Sequence, residues 1–86
     1  NQLLAFLRII QEETVLVLIN LGNKALGEYN LSLQRSPLSG DYEGVMLMGE
    51  GEVTDLIVSG NGSFEAYQPV VEIPANGTVI IQLTGK

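Results

Sequence analysis

Cysteine, histidine and tryptophan are all missing from this chain of 86 residues. Without cysteine there is no disulfide and no thiolate nucleophile. Without cysteine or histidine there is no zinc site of the usual kind, and no imidazole base. Basic residues are nearly as scarce: Arg8, Lys24, Arg35 and Lys86 face ten acids, for a formal net charge of -6. A nucleic-acid binder needs a basic stripe to offset phosphates, and docking on an anionic membrane surface needs the same. Neither partner is expected. The acids stand singly or in pairs rather than in a run, which reads as a solvated, solubilising surface. No apolar run reaches the length of a membrane-spanning helix, and no charged-then-apolar leader is visible. The opening Asn1 fits an excised or processed fragment.

What the chain does have is apolar surface. Its hydrophobic fraction is 45% and its mean hydropathy is +0.25. The length suits one small domain, residues 1–86, whose surface-to-volume ratio limits how much it can bury. The surplus therefore predicts apolar surface covered by something else: the rest of a larger protein, or a second copy.

Most of that surplus lies in residues 3–20, LLAFLRIIQEETVLVLIN. Two apolar runs, residues 3–10 and 15–19, flank the polar break Gln11-Glu12-Glu13-Thr14 and predict a β-hairpin. With side chains alternating at a period of two, Leu3, Ala5, Leu7 and Ile9 share one side, opposite Leu4, Phe6, Arg8 and Ile10. In the second run Val15, Val17 and Ile19 lie opposite Thr14, Leu16, Leu18 and Asn20. Both sides are apolar, so the hairpin is expected to be covered on both faces. Leu4, Phe6, Leu16 and Leu18 are assigned to the face that meets a neighbour. Leu3, Leu7, Ile9, Val15, Val17 and Ile19 are assigned to the core.

Further along, residues 28–34 alternate cleanly, with Tyr29, Leu31 and Leu33 inward. Residues 35–44, with Pro37, Gly40 and Gly44, read as a loop, and residues 45–48 and 53–58 as strands, the first contributing Val45 and Leu47 to the core. Ser59-Gly60-Asn61-Gly62-Ser63 is a breaker cluster. Residues 64–73 are extended but interrupted by Pro69, which cannot donate to a ladder, with Tyr67, Val71 and Ile73 on one parity and Val71 and Ile73 assigned to the core. Pro74-Ala75-Asn76-Gly77 is a turn before a last strand, residues 78–84, with Val79, Ile81 and Leu83 inward. No segment shows sustained helical spacing. Short strands with such punctuation predict an all-β fold, an antiparallel Greek-key β-sandwich of six to eight strands.

Candidate chemistry is sparse. Glu12/Glu13 and Glu50/Glu52 are the paired carboxylates, but a glycosidase needs two that face each other across a cleft, and these pairs sit in turns. Asp41-Tyr42-Glu43-Gly44 offers fewer oxygens than a calcium loop. Gly49-Glu50-Gly51 lacks the Lys and following helix of a phosphate loop. Tyr42 and Phe64 are the rings that could stack on a sugar, with core packing or loop anchoring as the simpler role. Asn30, Asn61 and Asn76 open Asn-x-Ser/Thr triplets read as structural. No catalytic residue, metal site or cofactor is assigned.

Ala5-Phe6-Leu7-Arg8, the short acidic turn and Val17-Leu18-Ile19-Asn20 resemble the start of the C-terminal β-sandwich domain of α-amylase-family glycoside hydrolases, of the maltogenic amylase or α-glucosidase type. In that family an apolar–Ala–aromatic–apolar–Arg strand leaves the catalytic barrel, and a second strand ends in an apolar–Asn pair. Residues 71–83, with Ile73-Pro74-Ala75-Asn76-Gly77 leading into Thr78-Val79-Ile80-Ile81, are similar to the family's closing hairpin. The resemblance covers both ends; residues 22–68 match loosely, and Ala75 and Asn76 replace the family's usual second proline or aromatic residue. It implies a non-catalytic domain that stabilises a barrel acting on α-glucosidic bonds. The implied partner is that barrel in the same polypeptide, or else a second copy through the Leu4/Phe6/Leu16/Leu18 face, with weak carbohydrate binding as a lesser role. The family's Asp–Glu–Asp set belongs to the barrel, and no residue here carries it. A free carbohydrate-binding module or an Ig-like adhesion module is the alternative.

Overall fold

The computed structural model describes residues 2–11 and 13–86. Its described residues form seven strands and no helix: β1 (Leu3–Ile10), β2 (Glu13–Asn20), β3 (Leu31–Leu33), β4 (Gly40–Met48), β5 (Leu56–Val58), β6 (Phe64–Tyr67) and β7 (Thr78–Gly85). All pairings are antiparallel. Five strands make one sheet in the order β1-β2-β7-β4-β5, and β3 and β6 make a second. The all-β, antiparallel expectation holds at this level.

The hairpin is tighter than the sequence suggests. Ile10 pairs with Glu13, so Glu13 and Thr14 belong to β2, and Gln11 leaves β1 at φ 58°. The register then places Leu7 opposite Leu16 and Ala5 opposite Leu18, whereas Phe6 faces Val17 and Leu4 faces Ile19. Directly opposed residues share a face. Leu16 and Leu18 therefore lie with Leu3, Ala5 and Leu7, on the side away from Leu4 and Phe6.

That side is the core. Leu16 and Leu18 are buried with Val79, Ile81 and Leu83 of β7 and Leu56 and Val58 of β5. Across from them Phe64 and Tyr67 of β6, together with Tyr29, Leu38, Val70 and Ile73 from the connections, close the same core. The expected Leu4/Phe6/Leu16/Leu18 face does not exist as one surface. Val15, Val17 and Ile19 are only half-buried, on the opposite side from Leu16 and Leu18, and Ile9, Val45 and Leu47 are exposed. Val71 is 83% exposed and Val70 is buried instead. The bend beginning at Pro69 resets the alternation there.

Two segments differ in extent from the sequence reading. Residues 40–44, expected in a loop, open the nine-residue strand β4. Gly40 adopts φ 89°, which glycine tolerates, and Gly44 sits so close to Val53 that a side chain would collide with it. Gly44 thus serves close packing and Gly40 the positive φ at the start of the strand, rather than a break. Residues 28–34 yield only the short β3, yet Tyr29 is buried as expected and its hydroxyl donates to Val70 O at 2.6 Å.

Candidate interaction surface

The register that buries Leu16 and Leu18 turns another row of side chains outward. Phe6 pairs with Val17, Val17 with Ile80, and Ile80 with Met48, forming an apolar row across β1, β2, β7 and β4. Leu4 opposite Ile19 extends it on one side. On the other stand Val45 and Leu47. Met46 pairs with Ile81 and Met48 with Ile80, so Leu47 is the extra residue of a β-bulge, a device that re-aims side chains and bends the strand. Leu4, Phe6, Val45, Leu47 and Met48 are each between 42% and 53% exposed. An apolar band of this kind, continuous across four strands, is unusual on a free surface.

The band has a polar end. Arg8 pairs with Val15, and Val15 with Gln82. The Gln82 side-chain amide donates to Glu13 Oε1 at 3.4 Å, and Asp41 and Glu43 lie on β4. At the far edge of the sheet Lys86 is paired with Asp55. Lys86 holds the Asp55 carboxyl below its ordinary value, and Asp55 in turn raises Lys86. Both groups are exposed, so the pair adds little to stability.

The hairpin and the closing turn are held together by Asn20, which is 3% exposed. Its side-chain Nδ2 donates to Lys24 O at 2.8 Å, Pro74 O at 3.1 Å and Ile73 O at 3.2 Å, and its Oδ1 accepts from Gly22 N at 2.9 Å. The backbone N–H of Asn20 donates to Gly77 O at 2.9 Å. The apolar–Asn end of β2 and the Pro74–Gly77 turn, read from sequence as separate motifs, are thus one hydrogen-bonded unit. A buried amide is stable only when so satisfied.

The remaining candidates fall as follows. Glu12 lies outside the described residues, and Glu13 is exposed at the start of β2. Glu50 and Glu52 are exposed in the turn after β4, which Gly49 and Gly51 build with φ of 121° and 106°. Together with Glu72 they rim a shallow hollow. Among the described residues no group of carboxylates converges closely enough to hold a metal ion. Tyr42 is half-buried on the core side, its hydroxyl accepting from Ser39 N at 3.2 Å. Phe64 is buried edge-on to Tyr67, ring centres 6.0 Å apart, and so is a core residue rather than a sugar platform. Asn76, with φ 54°, is a turn residue, and Asn61 accepts from Ser63 N at 3.1 Å within its loop. Tyr67, which alternation sets on one parity with Val71 and Ile73 without assigning it to the core, is buried, and its hydroxyl donates to Thr54 O at 2.6 Å. Burial first, then the nearby Asp55 charge, pushes its pKa up to about 12.

Comparison with family models, with characterised proteins and with solved structures finds no match to this chain.

Proposed function

We propose that this chain is a non-catalytic accessory domain, a Greek-key β-sandwich at the C-terminal end of an α-amylase-family glycoside hydrolase, and that it stabilises the catalytic barrel acting on α-glucosidic bonds. The observation that carries the reading is the outward apolar band of Leu4, Phe6, Val17, Ile80, Leu47 and Met48. Covering half a dozen such side chains would contribute on the order of several kcal/mol to a domain contact. Support also comes from Asn20. The two stretches that resemble the family, at opposite ends of the sequence, meet in space through its hydrogen bonds, as they would if they belonged to one inherited unit. The burial of Phe64 leaves Tyr42 as the single ring of the two considered for stacking on sugar, which weighs against a free carbohydrate-binding module.

The test has two arms. The reading frame upstream of Asn1 should encode a barrel with an Asp–Glu–Asp catalytic set. In that longer protein, Phe6→Glu should shorten the thermal half-life of glucosidase activity while the isolated domain keeps its own melting temperature. A frame without a barrel, or hydrolysis of a maltooligosaccharide by residues 1–86 alone, would overturn the reading.

A further inference from the structure

We propose that β1 is an open sheet edge through which two copies of this chain pair, antiparallel and centred on Leu7, into one continuous sheet. Among the described residues β2 is the one strand that neighbours β1, which stands at the end of the sheet order. Leu21 N donates to Gln2 O at 2.8 Å, which marks Gln2–Leu21 as a hydrogen-bonded position in the same register as Leu4–Ile19 and Phe6–Val17. In an antiparallel ladder such positions alternate with non-bonded ones. The even-numbered residues of β1 therefore direct their amide and carbonyl groups to β2, and Ala5, Leu7 and Ile9 direct theirs off the sheet.

Proteins guard such an edge with proline, bulges, inward charges or brevity. β1 has none of these. It runs eight residues in unbroken register, with Arg8 on the outer face as its one charge. The opposite edge, β5, is three residues long and flanked by the Asp55–Lys86 pair. The same open edge borders an apolar cleft of 320 Å³ between Ala5, Leu7 and Leu16 on one side and Leu31, Leu33 and Phe64 on the other. Inward-facing side chains of an added strand would be buried there.

The sequence of β1 favours a second copy as that strand. A two-fold axis at Leu7 bonds Ala5 of each copy to Ile9 of the other, setting a small residue against a large one on the inner face. On the outer face it sets Phe6 against Arg8 of the second copy, twice by symmetry, the arrangement in which a guanidinium lies over a ring, and Leu4 against Ile10. Charge points the same way. In a chain of net charge -6, β1 is acid-free and its one charge is the positive Arg8, so two copies meet with least repulsion along this edge. The contact is isologous and closes as a dimer. It does not rest on the glycoside hydrolase reading.

Sedimentation equilibrium of the chain should show a monomer–dimer equilibrium that tightens with added salt, as the net charges are screened. Ala5→Pro removes an N–H that no internal bond uses, so it should leave the near-UV spectrum intact and raise the dimer dissociation constant ~10-fold or more. In this cysteine-free chain, Leu7→Cys under oxidised glutathione should give a disulfide-linked dimer, since bonded pairs lie within disulfide reach, whereas Val45→Cys should not. A chain that stays monomeric throughout, a dimer indifferent to Ala5→Pro, or cross-linking of the Val45→Cys variant but not of the Leu7→Cys variant overturns the proposal.

Discussion

Asn20 and Tyr67 show how single polar groups hold this small core together. Asn20→Ala removes the donor shared by three carbonyls and leaves those of Ile73 and Pro74 without that partner. Ile73 O keeps its bond from Leu26 N and Pro74 O its bond from Gly77 N. The loss is therefore that of the side-chain hydrogen bonds themselves, roughly 0.5–1.5 kcal/mol each, and urea unfolding should show a loss of about 1–3 kcal/mol with an unchanged m-value. Tyr67 makes stability depend on alkaline pH. Its folded pKa lies at about 12, above the usual tyrosine value near 10, and burial raises Tyr29 as well. The folded state favours the neutral phenol, so its contribution is complete below about pH 10. It is lost as pH rises from about 10 to 12, because the unfolded chain releases the proton first. Equilibrium unfolding across that window should show stability falling by a few kcal/mol, and Tyr67→Phe should flatten the slope. At this scale the sequence was a partial guide. Tyr29 could be placed from alternation. Asn20 looked like a strand's polar end, since nothing local signals acceptors on Ile73 and Pro74, far along the chain.

Among the elements, the β1–β2 hairpin and β4 define the surface that matters. Leu47, extruded by the bulge and 53% exposed, makes little contact with the core. Leu47→Lys should therefore change the domain's own stability by no more than about 0.5 kcal/mol, while reducing binding of an apolar dye to the outer band. A large loss of stability would mean that Leu47 packs inside. Hairpin, final strand and the closing turn were legible from sequence because runs of β-branched and aliphatic residues end at Asn, Gly and Pro. β4 was cut short in the reading because Gly40 and Gly44 looked like breakers. The close contact of Gly44 with Val53 comes from the packing of a neighbouring segment, which strand-by-strand inspection does not register.

For the molecule as a whole, the decisive strand is the last. β7 lies between β2 and β4, so the five-stranded sheet cannot assemble until the end of the chain is in place. A chain truncated after Pro74 should be unfolded by circular dichroism, and the intact chain should refold in milliseconds to seconds, as expected where pairings are non-local. A folded truncation would show that β7 is dispensable.

Composition and periodicity alone determined that the chain is all-β, that it opens with a hairpin, and that it carries more apolar surface than it can bury. They could not determine which side of the hairpin is inside. Both sides are aliphatic, so a period of two assigns residues to sides without ranking the sides. That choice was made by the register of β1 against β2, which aligns Leu16 and Leu18 with Leu7 and Ala5. It was completed by the strands and connections that close over them, contacts that exist only once distant parts of the chain have met.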